Sequence, residues 1–221
     1  MKIKTKTNLL IISIATLAFG ITSQAAMVVG VSATATTWYD ALHEPSYMVD
    51  GSGLTGVGFT ATHSEAENAA NMWHAGEGAG INGAAPITDN QFVTFNLGGT
   101  YDLSTVSIWQ MNQTANFGRG VNQFDILYSV DGGSTYLSSS LNNNLAISTG
   151  GNISAQNFSL VQTGVTHVRF EIDSAHSANV NEYVGLSEVM FDGTLVPEPS
   201  SSLLFGSMAL FSLAYRRRLV R

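Results

Sequence analysis

The chain has 221 residues, 44% of them hydrophobic, with a formal net charge of −7 and no cysteine. That length and apolar content suit one domain with a real core plus terminal segments, and the missing thiols exclude both disulfide stapling and a cysteine-borne lipid anchor. Residues 26–195 are more lopsided than the average: they carry only Arg119 and Arg169 against fifteen carboxylates, a net of −13, which argues against any nucleic-acid partner.

Residues 1–25 place Lys2, Lys4 and Lys6 before an apolar run over residues 9–19, and close on Ser23, Gln24 and Ala25. A basic flank, an apolar stretch and a small-residue exit predict a secretory signal peptide, cut by signal peptidase after Ala25 or Ala26.

Beyond it the periodicity is that of strands. Val93, Phe95 and Leu97 alternate with Thr94 and Asn96; Val106 and Ile108 alternate with Thr105, Ser107 and Trp109; Phe124, Ile126, Tyr128 and Val130 form a further one-faced set. Val168, Phe170 and Ile172 face one way while His167, Arg169, Glu171 and Asp173 face the other. Turn signals at Gly98-Gly99, Asp131-Gly132-Gly133 and Gly150-Gly151 separate them, the last in a polar stretch, "LNNNLAISTGGN", with no core of its own. Residues 63–73 are read as one short helical turn at most. Many short strands without βαβ spacing predict an all-β, antiparallel sandwich over residues 26–195.

The tail, residues 196–221, reads "VPEPSSSLLFGSMALFSLAYRRRLVR". Its apolar part, residues 203–215, reaches about 20 Å as a helix against a hydrocarbon core of about 30 Å, a marginal span. Arg216, Arg217, Arg218 and Arg221 favour a cytoplasmic end, and Pro197 and Pro199 keep the outer boundary extended. Pro197-Glu198-Pro199, the short apolar helix and the arginine cluster, in that order, resemble the PEP-CTERM sorting signal of Gram-negative bacteria that make extracellular polysaccharide. That resemblance implies processing by an exosortase-type enzyme after transient anchoring in the inner membrane, and a final place at the cell surface or in the extracellular matrix.

The order "VSATATTWYD", "MVDGSGLTG", "MWHAG", "NQFVTFNLGGTYDLSTVSIWQMN", "GRGVNQFDILYSVDGGSTY", "THVRFEID", "YVGLSEVMFDG" is similar to that of discoidin-like domains, the coagulation factor 5/8 C-terminal type of galactose-binding-like jelly roll. The chain departs from the pattern by an insertion between Gly51 and Trp73 and over residues 137–157. The resemblance implies a structural calcium ion on Asp50 and Glu188, completed by oxygens of the Ser52 and Thr55 loop, in keeping with the hard oxygen ligands calcium takes. It also implies carbohydrate binding through loops, where aromatic faces stack on sugars and Asn, His and Arg make polar contacts. Three loops offer such residues: Trp38, Tyr39 and His43; Asn112, Asn116, Phe117 and Arg119; His176, Asn179 and Asn181. Trp38 is the expected stacking platform, Arg119 doubles as a turn tie, and Trp73 and Trp109 are read as core.

Catalytic signals are weak. The five histidines are scattered without HExxH; Glu65 with Glu67, and Glu171 with Asp173, sit two apart on one strand face, which suits a solvated surface better than a glycosidase pair. Ser129, Asp131, Gly133, Thr135 and Tyr136 nearly spell the sialidase Asp-box, a hairpin device that recurs once per propeller blade and here occurs once, so it is read as a turn. The expected function is therefore non-enzymatic binding of extracellular polysaccharide, with two alternatives open: a matrix protein without glycan affinity, and a glycan-cleaving enzyme.

Overall fold

A computed structural model of the chain describes residues 26–66, 70–75, 91–176 and 183–197. The segment read as a signal peptide and the tail beyond Pro197, with Glu198, Pro199, Arg216, Arg217 and Arg218, lie outside the described residues, as do Asn179 and Asn181.

Eleven strands are described: β1 (Ala26–Met27), β2 (Ser32–Ala35), β3 (Leu54–Thr55), β4 (Thr62–His63), β5 (Trp73–Ala75), β6 (Phe92–Gln110), β7 (Val121–Ser129), β8 (Leu137–Asn144), β9 (Ile153–Ser154), β10 (Gln156–Ala175) and β11 (Val184–Leu195). All pairings between them are antiparallel. Helical structure among the described residues is limited to short 3₁₀ turns, at Pro45–Met48, Gly58–Thr60 and Phe117–Arg119.

Two long strands, β6 and β10, pair along nearly their whole length and bend together, so each serves both layers. The bend falls where β6 contains Gly98, with φ of +71° and no room for a Cβ, which would meet the Gly30 carbonyl at 3.2 Å. On β10 it coincides with register shifts between Ser159 and His167 around Gly164, at φ +69°. One layer is β2, the first half of β6, the second half of β10, β7 and β8; the other is the first half of β10, the second half of β6, and β11, against which β1 and β5 both pair.

Between the layers lie the side chains the alternation placed inward. Val93, Phe95, Leu97, Val106, Ile108, Phe124, Ile126, Val168, Phe170 and Phe191 are all buried, each worth roughly 1.5–3 kcal/mol of burial. Phe95 meets Phe170 at 5.0 Å and Phe191 at 5.3 Å, and Phe124 meets Phe158 at 5.3 Å, so aromatic contacts link the two layers.

Trp73 and Trp109 lie in the core as expected, and four details depart from the simple strand alternation. Val130 is half exposed because β7 stops at Ser129 and the hairpin begins. Trp109 and Ser107 are buried although they face away from Val106 and Ile108: a small sheet of β3, β4 and β9 covers that outer face, and the Trp109 indole N–H donates to the Ala61 carbonyl at 3.0 Å. The polar stretch over residues 141–152 does reach the core, through Leu145. The segment read as a helical turn supplies strand residues instead, His63 at one end and Trp73 at the other.

The near Asp-box is a hairpin clasp. One oxygen of Asp131 accepts hydrogen bonds from the Ser134 and Thr135 amides at 3.1 and 2.9 Å, the other from the Thr135 hydroxyl at 2.6 Å, and the Gly133 amide donates to Ser129 Oγ at 2.9 Å. Those bonds hold the Asp131 carboxyl well below the usual range. At the other end of the chain the Val196 amide still donates to Thr100 at 2.8 Å, and the next residue, Pro197, has no N–H with which to extend β11.

Candidate functional site

The loop after β2 is laced to β5. The Tyr39 amide donates to the His74 carbonyl at 2.7 Å, the His74 amide to His43 at 3.3 Å, and the Trp73 indole to Thr37 at 2.9 Å. β5 in turn pairs with the start of β11, where Gly185 faces His74. A Cβ on Gly185 would fall 2.5 Å from the Trp73 carbonyl oxygen, so glycine is what allows that approach. Gly120 bridges Gly185 from the β6–β7 loop, whose 3₁₀ turn closes through the Arg119 amide on the Asn116 carbonyl at 2.9 Å.

These connections gather Tyr39, His43, His74, Arg119 and Tyr183 at one end of the sandwich. The His74 ring stands 4.8 Å from Tyr183, 5.3 Å from His43 and 5.7 Å from Tyr39, and the Arg119 guanidinium carbon lies 4.4 Å from the Tyr183 ring centre. His43 Nδ1 bonds Asp40 at 2.6 Å. Burial raises the Asp40 carboxyl, but the His43 contact and the Leu42 amide outweigh it and leave it below its ordinary value. Burial, helped by the positive neighbours His43 and Arg119, pushes His74 down to about 3, so it is neutral at physiological pH.

Three ring nitrogens in this cluster, His43 Nε2 and both of His74, are buried with no hydrogen-bond partner. Orphaned buried polar atoms are uncommon in folded domains. Tyr39, Asp40 and Arg119 keep exposed surface while His43 and His74 do not. The arrangement joins aromatic faces, a guanidinium and a carboxylate at the surface, which is the donor, acceptor and stacking set that recognises a polyhydroxylated ring.

A second convergence lies beside it in the chain. Glu188, 1% exposed on β11, accepts from the Gly51 amide at 3.1 Å, and Asp50 accepts from the Ser52 amide at 2.8 Å. Burial first, and then the Asp50 charge, push Glu188 up to about 8, with the Gly51 bond offsetting part. Both acids line a cleft of about 230 Å³. The Ser52 hydroxyl is buried without a partner, and Thr55 is exposed on β3. Two carboxylates and an unused hydroxyl fit a hard cation; among the described residues no third acid or histidine joins them.

No protein-family model and no curated protein matches this sequence. Among solved structures, the F5/8 type C domain of a Bacteroides fragilis protein superposes with a TM-score of 0.52 at 13% identity, covering 79% of this chain and 98% of that one. The fold is the galactose-binding-like sandwich. A CBM32 domain from Clostridium perfringens, solved with GalNAc-β-1,3-galactose, is similar at TM-score 0.49 and 15% identity over 76% of this chain and 99% of its own. The family 32 module of C. perfringens NanJ, solved with galactose, gives 0.43 and 12% over 76% and 99%.

Within this galactose-binding-like sandwich the residues singled out from sequence fall in different places. Trp38 is half-buried and packed on the core, its indole nitrogen enclosed, so it offers less open face than a platform needs. Asn112 is fully enclosed and saturated: its amide donates to Gly151 at 2.8 Å and His63 at 3.2 Å and accepts from Ser148 at 2.6 Å, which makes it an internal tie. Asn116 donates from Nδ2 back to the Thr114 carbonyl at 3.2 Å, and His176 Nε2 donates to Leu145 at 2.7 Å. Glu65 accepts from the Gly151 amide at 2.6 Å and so ties two distant loops together. Arg119, Tyr39 and His43 are the ones the fold brings together. Asp40 joins them through its local bond to His43, whereas His74 and Tyr183 become neighbours through β5 pairing with β11, and the isolated Trp73-His74 pair is the trace of that in the sequence.

Proposed function

We propose that this chain is an exported, non-enzymatic carbohydrate-binding protein that engages extracellular polysaccharide with the Tyr39, Asp40 and Arg119 end of its sandwich. The observation that carries the reading is the grouping of the partly exposed Tyr39 ring, Asp40 carboxylate and Arg119 guanidinium around the His43, His74 and Tyr183 rings. Residues 1–25 and 196–221 support the routing: removal by signal peptidase at one end, and at the other a transient hold at the inner membrane of a Gram-negative cell followed by exosortase-type sorting.

Glycan arrays probed with the full chain should give saturable binding to at least one neutral glycan. Tyr39→Ala and Arg119→Gln should each weaken it about tenfold or more while the circular dichroism spectrum is retained. Absence of any binding, together with self-association, would replace this reading with that of a structural matrix protein; glycan turnover lost on changing Glu171 or Asp173 would make it a hydrolase.

The same reading includes a structural calcium ion held by Asp50 and Glu188 with oxygens from Ser52 and the Thr55 loop. Calcium neutralises two carboxylates that otherwise repel each other across a partly dry cleft. At about 100 times its Kd it should raise stability by about 2.7 kcal/mol, seen as a higher melting temperature than in chelator. Glu188→Gln should erase the difference between the two melts, and equal melts of the unmodified protein would remove calcium from the reading.

A further inference from the structure

We propose that the outer face of the layer containing β2, β6 and β10 carries a second glycan site, specific for a carboxylate-bearing sugar such as a uronic acid unit and centred on Arg169. It is distinct from the ring cluster and goes beyond the binding role assigned to that end.

The strand register builds the floor. Thr34 faces Thr94, which faces Arg169, and Ser32 faces Asn96, which faces His167, giving two rows of outward polar side chains across three strands. The β7–β8 hairpin supplies the wall. Its Asp131 clasp delivers Tyr136 over the sheet, and Gly133 packs so closely that a Cβ there would sit 3.2 Å from the Tyr136 hydroxyl and 3.3 Å from the His167 ring. Floor and wall enclose a groove of about 360 Å³, within the range of roughly 300–1,000 Å³ that small-molecule sites occupy. The sequence element that looked like a propeller motif is thus the part that gives this face its concavity.

Arg169 is held for use. Its guanidinium carbon lies 3.8 Å from the Tyr136 ring centre and 4.3 Å from that of Phe92, and its Nε–H donates to Thr94 Oγ1 at 3.1 Å. Two rings and one hydrogen bond fix the plane of the group, yet its Nη nitrogens have no acceptor and no carboxylate partner among the described residues. In a domain with fifteen carboxylates and two arginines, an arginine without an acid is an unfilled anion position. A planar guanidinium whose rotamer is already set binds a carboxylate bidentately at small entropic cost. The hydroxyls of Ser32, Thr34 and Thr94 and the amide of Asn96 extend from that point as partners for ring hydroxyls. On the other side the face turns acidic, with Glu171 and Asp173 following on β10 and Asp125 opposite Glu171 on β7. One anionic group is therefore accommodated, at Arg169, with the rest of the sugar lying toward Ser32.

The test is calorimetric titration of the full chain with oligogalacturonate, its methyl ester and a neutral galacto-oligosaccharide. The free acid should bind at least about tenfold more tightly than the ester, and Arg169→Gln should remove that preference. Thr34→Glu, an exposed change that leaves Arg169 and its rings in place, should do the same by setting a carboxylate in the groove. Tyr39→Ala should leave oligogalacturonate binding intact, which separates this site from the loop end. The proposal is overturned if acid and ester bind equally, if both Arg169→Gln and Thr34→Glu keep the preference, or if Tyr39→Ala alone abolishes it.

Discussion

Trp109→Ala should lower the unfolding free energy by about 3–5 kcal/mol, a large share of the roughly 5–15 kcal/mol available to a domain of this kind. The residue is fully buried, and its indole N–H is bonded to Ala61, so the change leaves a cavity and an unpaired carbonyl together. It also cuts the tie between the large sheet and the small β3, β4 and β9 sheet. That small sheet follows directly on the loop carrying Asp50 and Gly51, and the Gly51 amide donates to Glu188. Denaturant titration should therefore show a lower midpoint for Trp109→Ala together with a smaller calcium effect. Trp109→Phe separates the two contributions: most of the burial stays, and about 1 kcal/mol goes with the hydrogen bond. A midpoint unchanged in Trp109→Ala would mean that the small sheet contributes nothing to the fold.

His74 should cost the folded protein stability as the pH falls below about 6.5, while Glu188, whose carboxyl is raised to about 8 in the folded state, contributes in the opposite direction over the same window. In the unfolded chain the His74 imidazole takes a proton near its ordinary value of 6.5, whereas burial in the ring cluster holds it to about 3 in the folded state. Between those values the unfolded state binds the extra proton, so the His74 contribution falls as pH drops through the window, by up to about 1.4 kcal/mol per unit. At pH 5 the contribution is about 2 kcal/mol. His63, also lowered by burial, adds to the same slope. His74→Phe should remove this contribution, so that the variant gains stability relative to the unmodified chain as the pH falls from 6.5 to 4.5, because its ring takes no proton in either state. Parallel pH profiles for the two proteins would show that His74 is not the group that titrates.

Both results bear on where the fold and the site were readable in advance. The inward alternation of Val93, Phe95 and Leu97, or of Val168, Phe170 and Ile172, follows from the two-residue period of a strand, which is local and survives any rearrangement of loops. The turn reading of Asp131 rests likewise on contacts within a few residues. The loop residues did not share that advantage. Asn112 and Trp38 have the right chemistry for sugar contact, but their orientation is set by partners far along the chain, Gly151 and Ser148 for one and the core for the other. His74 sat unselected for the same reason.

From the chain alone came the all-β sandwich, the acid-rich and cysteine-free character of its domain, and the basic and apolar signals at its two ends, since each of these depends on composition or on short-range pattern. Tertiary structure decided that Tyr39, His74, Arg119 and Tyr183 meet, that the small sheet roofs Trp109, and that Arg169 lies between Tyr136 and Phe92 with no carboxylate bonded to it among the described residues. The physical cause is strand register: two long bent strands bring distant segments side by side, and which side chains share a face across three strands is a property of that pairing and of no shorter stretch of sequence.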